Sequence, residues 1–214
     1  YLTLFAIMGS LPENSVIALA GMTAGMRVES ILFMPAMAFN VTASILVGNA
    51  LGAGDKAAAR RIGLATVGTG AALMTLVGLA MWPWMPELAA VFSPDAAVQA
   101  QIVGYLTYNI LSTTFTVGSM ILNGVMTGAG ATVYALVVNT SCIWLVRLPL
   151  GWFLSHLVWG EARGVYVAML ISMTVQACAM FWVFFHRDWT RYAMRSSSLH
   201  HPSAPYTEVS REHS

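Results

Sequence analysis

The sequence predicts an all-α fold: a polytopic membrane helix bundle of about five full transmembrane helices, preceded by a partial one. Hydrophobic residues make up 57% of the chain and charged residues only 9%, whereas an ordinary soluble domain has roughly 25% charged residues. No Asp, Glu, Lys or Arg occurs between Asp95 and Arg147, a stretch long enough for two crossings at about 20 residues each. The expected surroundings are therefore the lipid bilayer, and a net charge of +1 does not indicate a nucleic-acid partner.

The first element is a short apolar run from Tyr1 to Gly9. It is too short to cross a membrane, and it lacks the basic flank and cleavage site of a signal peptide. We interpret it as the end of a helix whose first half is missing, so the chain is expected to be part of a longer protein. A turn over residues 10–14 follows.

The five full spans are expected at residues 16–47, 62–85, 98–125, 131–159 and 165–185. Each is an apolar run bounded by turn residues or charges. In the loop over residues 48–61, Asp55 is a candidate N-cap for the second span. The Trp-Pro-Trp run at 82–84 is expected to anchor the end of that span at the membrane interface. From residue 186 the chain leaves the membrane, and the polar tail is expected to be disordered.

Basic residues predict the orientation of the chain. The loop before the second span is basic and the loop after it holds only acidic residues, so the first is expected inside and the second outside. The same alternation places the C-terminus in the cytoplasm, and the protein is expected to be a multi-pass protein of the inner (plasma) membrane. The basic residues used are Lys56, Arg60, Arg61, Arg187, Arg191 and Arg195.

A polar stripe runs along the third span. Its members recur at helical spacing and fall within roughly 40° of one another at 100° per residue. Polar side chains avoid lipid, so the stripe either lines a cleft that contacts substrate or ion or forms hydrogen bonds between helices. The members are Asn109, Thr113, Thr116, Asn123 and Thr127, with Met120 on the same face.

Three charged residues lie within predicted spans. Arg27 and Glu29 are candidates to line the substrate or ion cleft, and Arg147 is a candidate for a structural or gating contact. Arg27 and Glu29 are about 200° apart on a helix and cannot pair with each other. An ion pair between Glu29 and Arg147 would serve as a structural lock or a gating contact. Alternatively, the two arginines extend towards the headgroup region. Asn139 and Gln176 are expected to form hydrogen bonds between helices.

Pro35 and Pro149 are expected to bend the first and fourth spans. Such bends suit bundles that rock during transport, although a static kink is an equal explanation. The 14 methionines suit either an adaptable binding surface or an ordinary core. Cys142 and Cys178 lie in apolar runs and are interpreted as small hydrophobic residues. No catalytic constellation, phosphate-binding loop or metal site is recognised, so we expect neither an enzyme nor a bound cofactor.

Four segments, in order, resemble the C-terminal part of multidrug and toxic compound extrusion (MATE) transporters. They are residues 27–39 (RVESILFMPAMAF), 46–54 (LVGNALGAG), 123–130 (NGVMTGAG) and 146–150 (VRLPL). The resemblance implies a C-terminal six-helix lobe over residues 1–187, followed by a cytoplasmic tail over 188–214. Its partner would be the missing N-terminal lobe of the same protein, with which it would alternate access around a central cleft.

The resemblance further implies export of small hydrophobic, often cationic compounds, by antiport with Na⁺ or H⁺. The acidic residue of the family's seventh helix would fall at or before Tyr1, and that of the tenth near Thr116, which is neutral. The acidic cation site of this lobe is therefore not recognisable. A relative that flips lipid-linked sugars, and a truncated product or a half that needs a separate N-terminal half, are the alternatives.

Overall fold

The computed structural model describes residues 2–10, 15–158 and 161–190, and it consists of helices joined by short turns, without a β-strand in those ranges. Five of its helical segments are long and apolar enough to cross a membrane. The uninterrupted α-helices are α1 (Leu2–Gly9), α2 (Ser15–Gly52), α3 (Lys56–Met81), α4 (Met85–Phe92), α5 (Ala96–Gly128), α6 (Thr132–Ser141), α7 (Leu148–Phe153) and α8 (Arg163–His186). Five spans after a short first helix are thus confirmed, whereas the turn over residues 11–14 lies outside the described ranges.

The turn between α2 and α3 is much shorter than the predicted loop. Helix α2 continues to Gly52, and Asp55 accepts a hydrogen bond at 2.8 Å from the backbone N–H of Ala58. This bond satisfies one of the free N–H groups at the start of α3, and the predicted cap is confirmed. Gly54 has a φ of 81°, a left-handed conformation that glycine adopts without a steric penalty.

The second span does not end at the Trp-Pro-Trp run. Residues Trp82–Trp84 form a single 3₁₀ turn, after which the chain continues directly into α4. Pro83 at the start of such a turn lacks only an N–H that would have no helical partner there. Trp82 and Trp84 both remain exposed, as the predicted aromatic anchor requires.

Helices α2 and α5 run parallel, with glycines at their closest contacts. The facing pairs are Gly21 with Gln101, Gly25 with Tyr105, Gly124 with Asn40 and Gly128 with Ser44. A Cβ atom on any of these glycines would overlap its neighbour, and at Gly124 and Gly128 that neighbour is a backbone carbonyl. Small residues let helix backbones approach closely in a membrane. We call this contact the glycine seam.

The fourth span is not a regular α-helix. The π-helical segment Cys142–Arg147 lies between the short helices α6 and α7, and a second π-helical segment, Leu154–Val158, follows α7. Pro149 lies two residues after the first segment and has no N–H to donate to the preceding turn. Wide π turns of this kind are uncommon and often occur at functional sites.

The folded part extends beyond the predicted boundary at residue 187. The side chain of Trp189 is fully buried, its Nε1 donates a 2.9 Å hydrogen bond to the backbone oxygen of Phe184, and its ring stacks on Phe184 at 5.2 Å. Thr190 is also buried. Residues 189 and 190 of the predicted tail are therefore buried against the helices, and residues 191–214 lie outside the described ranges.

Candidate functional site

A groove opens over one face of α5, between α2 and α8. Its cavity volume is about 400 Å³, within the range of roughly 300 to 1,000 Å³ typical of small-molecule sites. The lining consists of Met26, Glu29, Ser30, Phe33, Thr116, Met120, Asn123, Met173 and Gln176. We call it the α2–α5–α8 groove.

Glu29 is the acidic side chain of the groove, and it is half-buried on α2. Its carboxylate accepts a hydrogen bond from the hydroxyl of Tyr105, a buried residue of α5. Gly25 lies one turn earlier on α2 and leaves room for the Tyr105 ring, because a Cβ at that position would overlap the ring. The local sequence therefore places a phenol against a carboxylate on α2, four residues before the candidate membrane span that begins at Phe33.

Three tyrosines line a small cavity together with Glu29. Tyr105 and Tyr166 meet edge to face at 5.5 Å between ring centroids, and Tyr108 lies 6.1 Å from Tyr166. With Asn109, Ser112 and Thr116 they line a small cavity of about 10 Å³, close to the space that one water molecule needs. We call this the tyrosine cage. Because Glu29, Thr116 and Met173 line both cavities, the cage adjoins the groove.

The opposite end of the groove is formed by amide side chains. Gln176 donates a 2.7 Å hydrogen bond from Nε2 to Asn139 Oδ1, and Asn139 donates a 3.0 Å bond from Nδ2 to Asn123 Oδ1. These bonds join α8, α6 and α5. The expectation that Asn139 and Gln176 form hydrogen bonds between helices is confirmed. We call the three residues the amide triad.

The predicted polar stripe divides among several surroundings. Asn109 and Thr116 line the tyrosine cage, whereas Thr116 and Asn123 line the groove. Thr113 is buried, its hydroxyl donates to the backbone oxygen of Asn109, and it lines neither cavity. Thr127 lines a separate cavity between α5 and α6. Asn123 both lines the groove and accepts a hydrogen bond from another helix, whereas Thr113, Thr116 and Thr127 donate to backbone oxygens of α5 itself.

The predicted ion pair between Glu29 and Arg147 is wrong for this structure. Glu29 bonds to Tyr105, and the buried Arg147 donates from Nε to Ser172 Oγ at 3.3 Å and from Nη2 to Met173 Sδ at 3.1 Å. An exposed ion pair joins Arg163 and Glu161 at 3.8 Å. Met173, which accepts from Arg147, lines the groove together with Glu29.

Arg27 and Pro35 lie on the exposed surface of α2. Arg27, a candidate from the sequence to line the cleft, is not among the described residues that line the groove or the cage. Helix α2 continues through Pro35 without interruption. Pro149 lies between the two π segments, at the start of α7.

Tyr105, Tyr166 and Met173 contribute to the site but were missed in the sequence. Tyr105 precedes Asn109 by four residues, so the stripe could have been extended by one turn. Tyr166 and Met173 belong to α8, whose apolar sequence gives no sign of which face meets α5. Only tertiary packing identifies them.

The arrangement combines one carboxylate with polarizable thioethers, an aromatic ring and amides. None of the described residues lining the groove is Lys or Arg. Because a carboxylate within a membrane is costly unless it is paired or hydrated, Glu29 suits a bound proton or cation. In the described ranges, no three His, Cys, Asp or Glu residues group together as metal ligands.

The MatE family model matches residues 1–153. The chain is 24% identical over 197 residues to Protein DETOXIFICATION 36 of Arabidopsis thaliana, covering 92% of this chain and 39% of that protein. It is 27% identical over 187 residues to Protein DETOXIFICATION 21 of the same plant, covering 86% and 37%. The chain thus spans well under half the length of these relatives.

Two solved structures share the fold. The crystal structure of the eukaryotic MATE transporter AtDTX14 superposes with a TM-score of 0.84 and 21% identity, covering 92% of this chain and 44% of that one. An inward-facing multidrug resistance MATE family transporter of the MOP superfamily gives a TM-score of 0.75 and 18% identity, covering 94% and 44%.

Proposed function

The chain belongs to the MatE family of multi-pass membrane transporters, and from that premise we propose that it forms the C-terminal lobe of a multidrug exporter. The exporter moves hydrophobic and cationic compounds by antiport with Na⁺ or H⁺. It alternates access between this lobe and an N-terminal lobe. The C-terminus lies in the cytoplasm, and the membrane is the cytoplasmic one.

The observation that carries the proposal is the α2–α5–α8 groove with its single described acidic residue. The groove has the volume of a drug-sized site. Met26, Met120 and Met173 give it a surface that adapts to varied apolar shapes. A cation is favoured there because Glu29 supplies negative charge and the described lining supplies no positive charge. The absence of Lys and Arg from that lining also gives no support to export of anionic lipid-linked sugars.

Glu29 is the proposed coupling residue. A proton or sodium ion at its carboxylate neutralises the groove, and release of that ion restores the charge that attracts a cationic substrate. Tyr105 holds the carboxylate in place by its hydrogen bond. Competition of two cations for one carboxylate is a direct way to make their binding mutually exclusive, which antiport requires.

The test uses the full-length protein in inside-out membrane vesicles, with uptake of tetraphenylphosphonium driven by a Na⁺ gradient or a proton gradient applied separately. We expect the unmodified protein to respond to one gradient, and the Glu29→Gln variant to lose gradient-driven uptake down to the vesicle background. Glu87→Gln is the matched control, because Glu87 is exposed on α4, outside the groove. Equal uptake by both variants at equal protein levels would contradict the role of Glu29.

A further inference from the structure

The amide triad leaves two hydrogen-bonding atoms unused. Asn139 accepts from Gln176 and donates to Asn123, which consumes one amide atom on each of those two neighbours. The remaining atoms are the Asn123 amide nitrogen, a donor, and the Gln176 carbonyl oxygen, an acceptor. In the part of the chain that the structure describes, neither atom has a protein partner. The hydrogen bonds to the shared Asn139 side chain fix the orientation of both amide groups.

Asn123 and Gln176 both line the α2–α5–α8 groove, whereas Asn139 does not. Asn139 instead lines the neighbouring cavity between α5 and α6, of about 520 Å³, together with Asn123. The triad therefore forms part of the wall between the two cavities. Asn139 holds the two groove-facing amides from behind without reaching the groove itself.

We propose that the amide triad is a hydrogen-bonding subsite that selects cationic ligands carrying a carboxamide. This inference rests on the proposed transport function. A carboxamide offers one acceptor and one donor side by side, and these complement the Asn123 donor and the Gln176 acceptor. The cationic part of the ligand then lies towards Glu29 at the other end of the same groove, with the Met120 and Phe33 side chains between the two ends.

The expected selectivity follows from the cost of unpaired amides. A ligand without hydrogen-bonding groups displaces water from Asn123 and Gln176 and leaves both amides unsatisfied in the groove. A site built to bond a polar group discriminates against the analogue that lacks it for this reason. We expect the carboxamide ligand to have about a tenfold lower KM than its apolar analogue, as the loss of one or two net hydrogen bonds predicts.

Asn139 is a positioning residue in this proposal. In the Asn139→Leu variant, Asn123 and Gln176 remain in the groove but are free to rotate or to bond each other. Discrimination should therefore fall, although Asn139 contacts no ligand. If Asn139 had a purely structural role, its substitution would change protein yield or the transport rate of both ligands alike. The ratio of the two KM values would then stay unchanged.

The experiment compares N-benzylpyridinium carrying a 3-carboxamide with the same cation carrying a 3-isopropyl group. Uptake KM is measured in vesicles with the full-length protein, and Kd is measured by calorimetry on the purified protein, so that the ratio is obtained whether or not transport occurs. The ratio compared is the KM or Kd of the 3-isopropyl cation divided by that of the 3-carboxamide cation. We expect a ratio near ten for the unmodified protein and near one for Asn123→Leu, Asn139→Leu and Gln176→Leu. Thr140→Leu, an exposed neighbour on α6, should keep the ratio near ten.

Because three variants test the same prediction, the experiment remains decisive if one of them fails to fold. A ratio near one in the unmodified protein, or a ratio unchanged in the folded variants, would overturn the proposal. Failure of the transport function has a different signature. In that case neither cation, nor tetraphenylphosphonium, accumulates under any gradient, while the Kd ratio still reports on the subsite.

Discussion

The helices that line the groove and the interrupted span that packs against α8 are built differently. Within the groove, α2 and α5 are continuous helices of 38 and 33 residues, held together by the glycine seam. Beside the groove, the span that contributes Asn139 is broken by two π-helical segments and Pro149. In the apolar window of α5, 61% of residues are buried within the bundle, against 17% for the interrupted span.

This difference indicates where the lobe is rigid and where it deforms. Backbone contacts at Gly124 and Gly128 fix the distance between α2 and α5, and with it the position of Glu29 relative to Tyr105. The interrupted span is less buried within the bundle, so it changes shape at lower cost. The groove is therefore lined by fixed helices, one of which carries the carboxylate, and the adaptable span beside it carries Asn139 of the amide triad.

The largest expected effect concerns the apolar cluster where the end of α8 packs near the start of α6. Trp189 is fully buried where α8 ends, and it packs in the same apolar cluster as Ala131 and Ala135, at the start of α6. Trp189→Ala should lower the free energy of unfolding by about 3 to 5 kcal/mol, the cost of removing a buried aromatic side chain. The readout is the melting temperature of detergent-purified protein. Trp84→Ala, which removes an exposed tryptophan, is the control, and an equal effect of both would show that Trp189 is not part of the core.

The glycine seam is tested by adding a single methyl group to one of its glycines. Gly124→Ala places a methyl group against the backbone oxygen of Asn40, so α2 and α5 must separate, at a cost of about 1 to 3 kcal/mol. Gly68→Ala on α3 is the matched control, because a Cβ there meets no atom within 4 Å. It should be neutral or stabilising by up to about 1 kcal/mol. If both variants melt at the same temperature, the close contact does not determine stability.

The adaptable span is tested by Pro149→Ala. The substitution restores a backbone N–H next to the first π segment, so the span should gain about 1 kcal/mol of stability, the worth of one hydrogen bond. Turnover should fall if this span changes shape during transport. Parallel melting and uptake measurements check both effects. An unchanged turnover with the expected stabilisation would mean that the span does not need to deform.

The smallest expected effect is the energetic coupling between Glu29 and Arg147. Because these two side chains bond to different partners, the melting effects of Glu29→Gln and Arg147→Gln should add within about 0.5 kcal/mol in the double variant. A double-mutant cycle on purified protein measures this term. Coupling well above that value would show that the two charges interact directly in the folded protein.

The sequence predicted the helices well because the chain carries strong, long apolar runs. Charges and turn residues between those runs are few, so the cap at Asp55 and the turn between the third and fourth spans could be placed within a few residues. The breaks in the fourth span were not predicted beyond a bend at Pro149. A π turn depends on how side chains such as Arg147 pack against α8, and local sequence carries no signal for that packing.

The candidate site was predictable only in part. The spacing of Asn109, Thr116 and Asn123 indicated the face of α5 that lines the cage and the groove, since a single helix determines it. The partner of Glu29 could not be predicted in this way, because a buried charge is satisfied by whichever group tertiary packing brings near. An ion pair with Arg147 was the simplest expectation. The packing instead brought Tyr105 alongside, through the space left by Gly25.

The most direct test asks whether water reaches the groove at Thr116, which lines both the groove and the tyrosine cage. Thr116→Cys and Leu76→Cys are made in the full-length protein without other reactive cysteines, and both are treated with a membrane-impermeant cationic thiosulfonate. Leu76 is the control because its side chain is exposed on α3, away from the groove. The Thr116→Cys protein should react, more slowly when tetraphenylphosphonium is present, and the Leu76→Cys protein should not. A Thr116→Cys protein that stays unmodified from both sides of the membrane would contradict a water-filled groove.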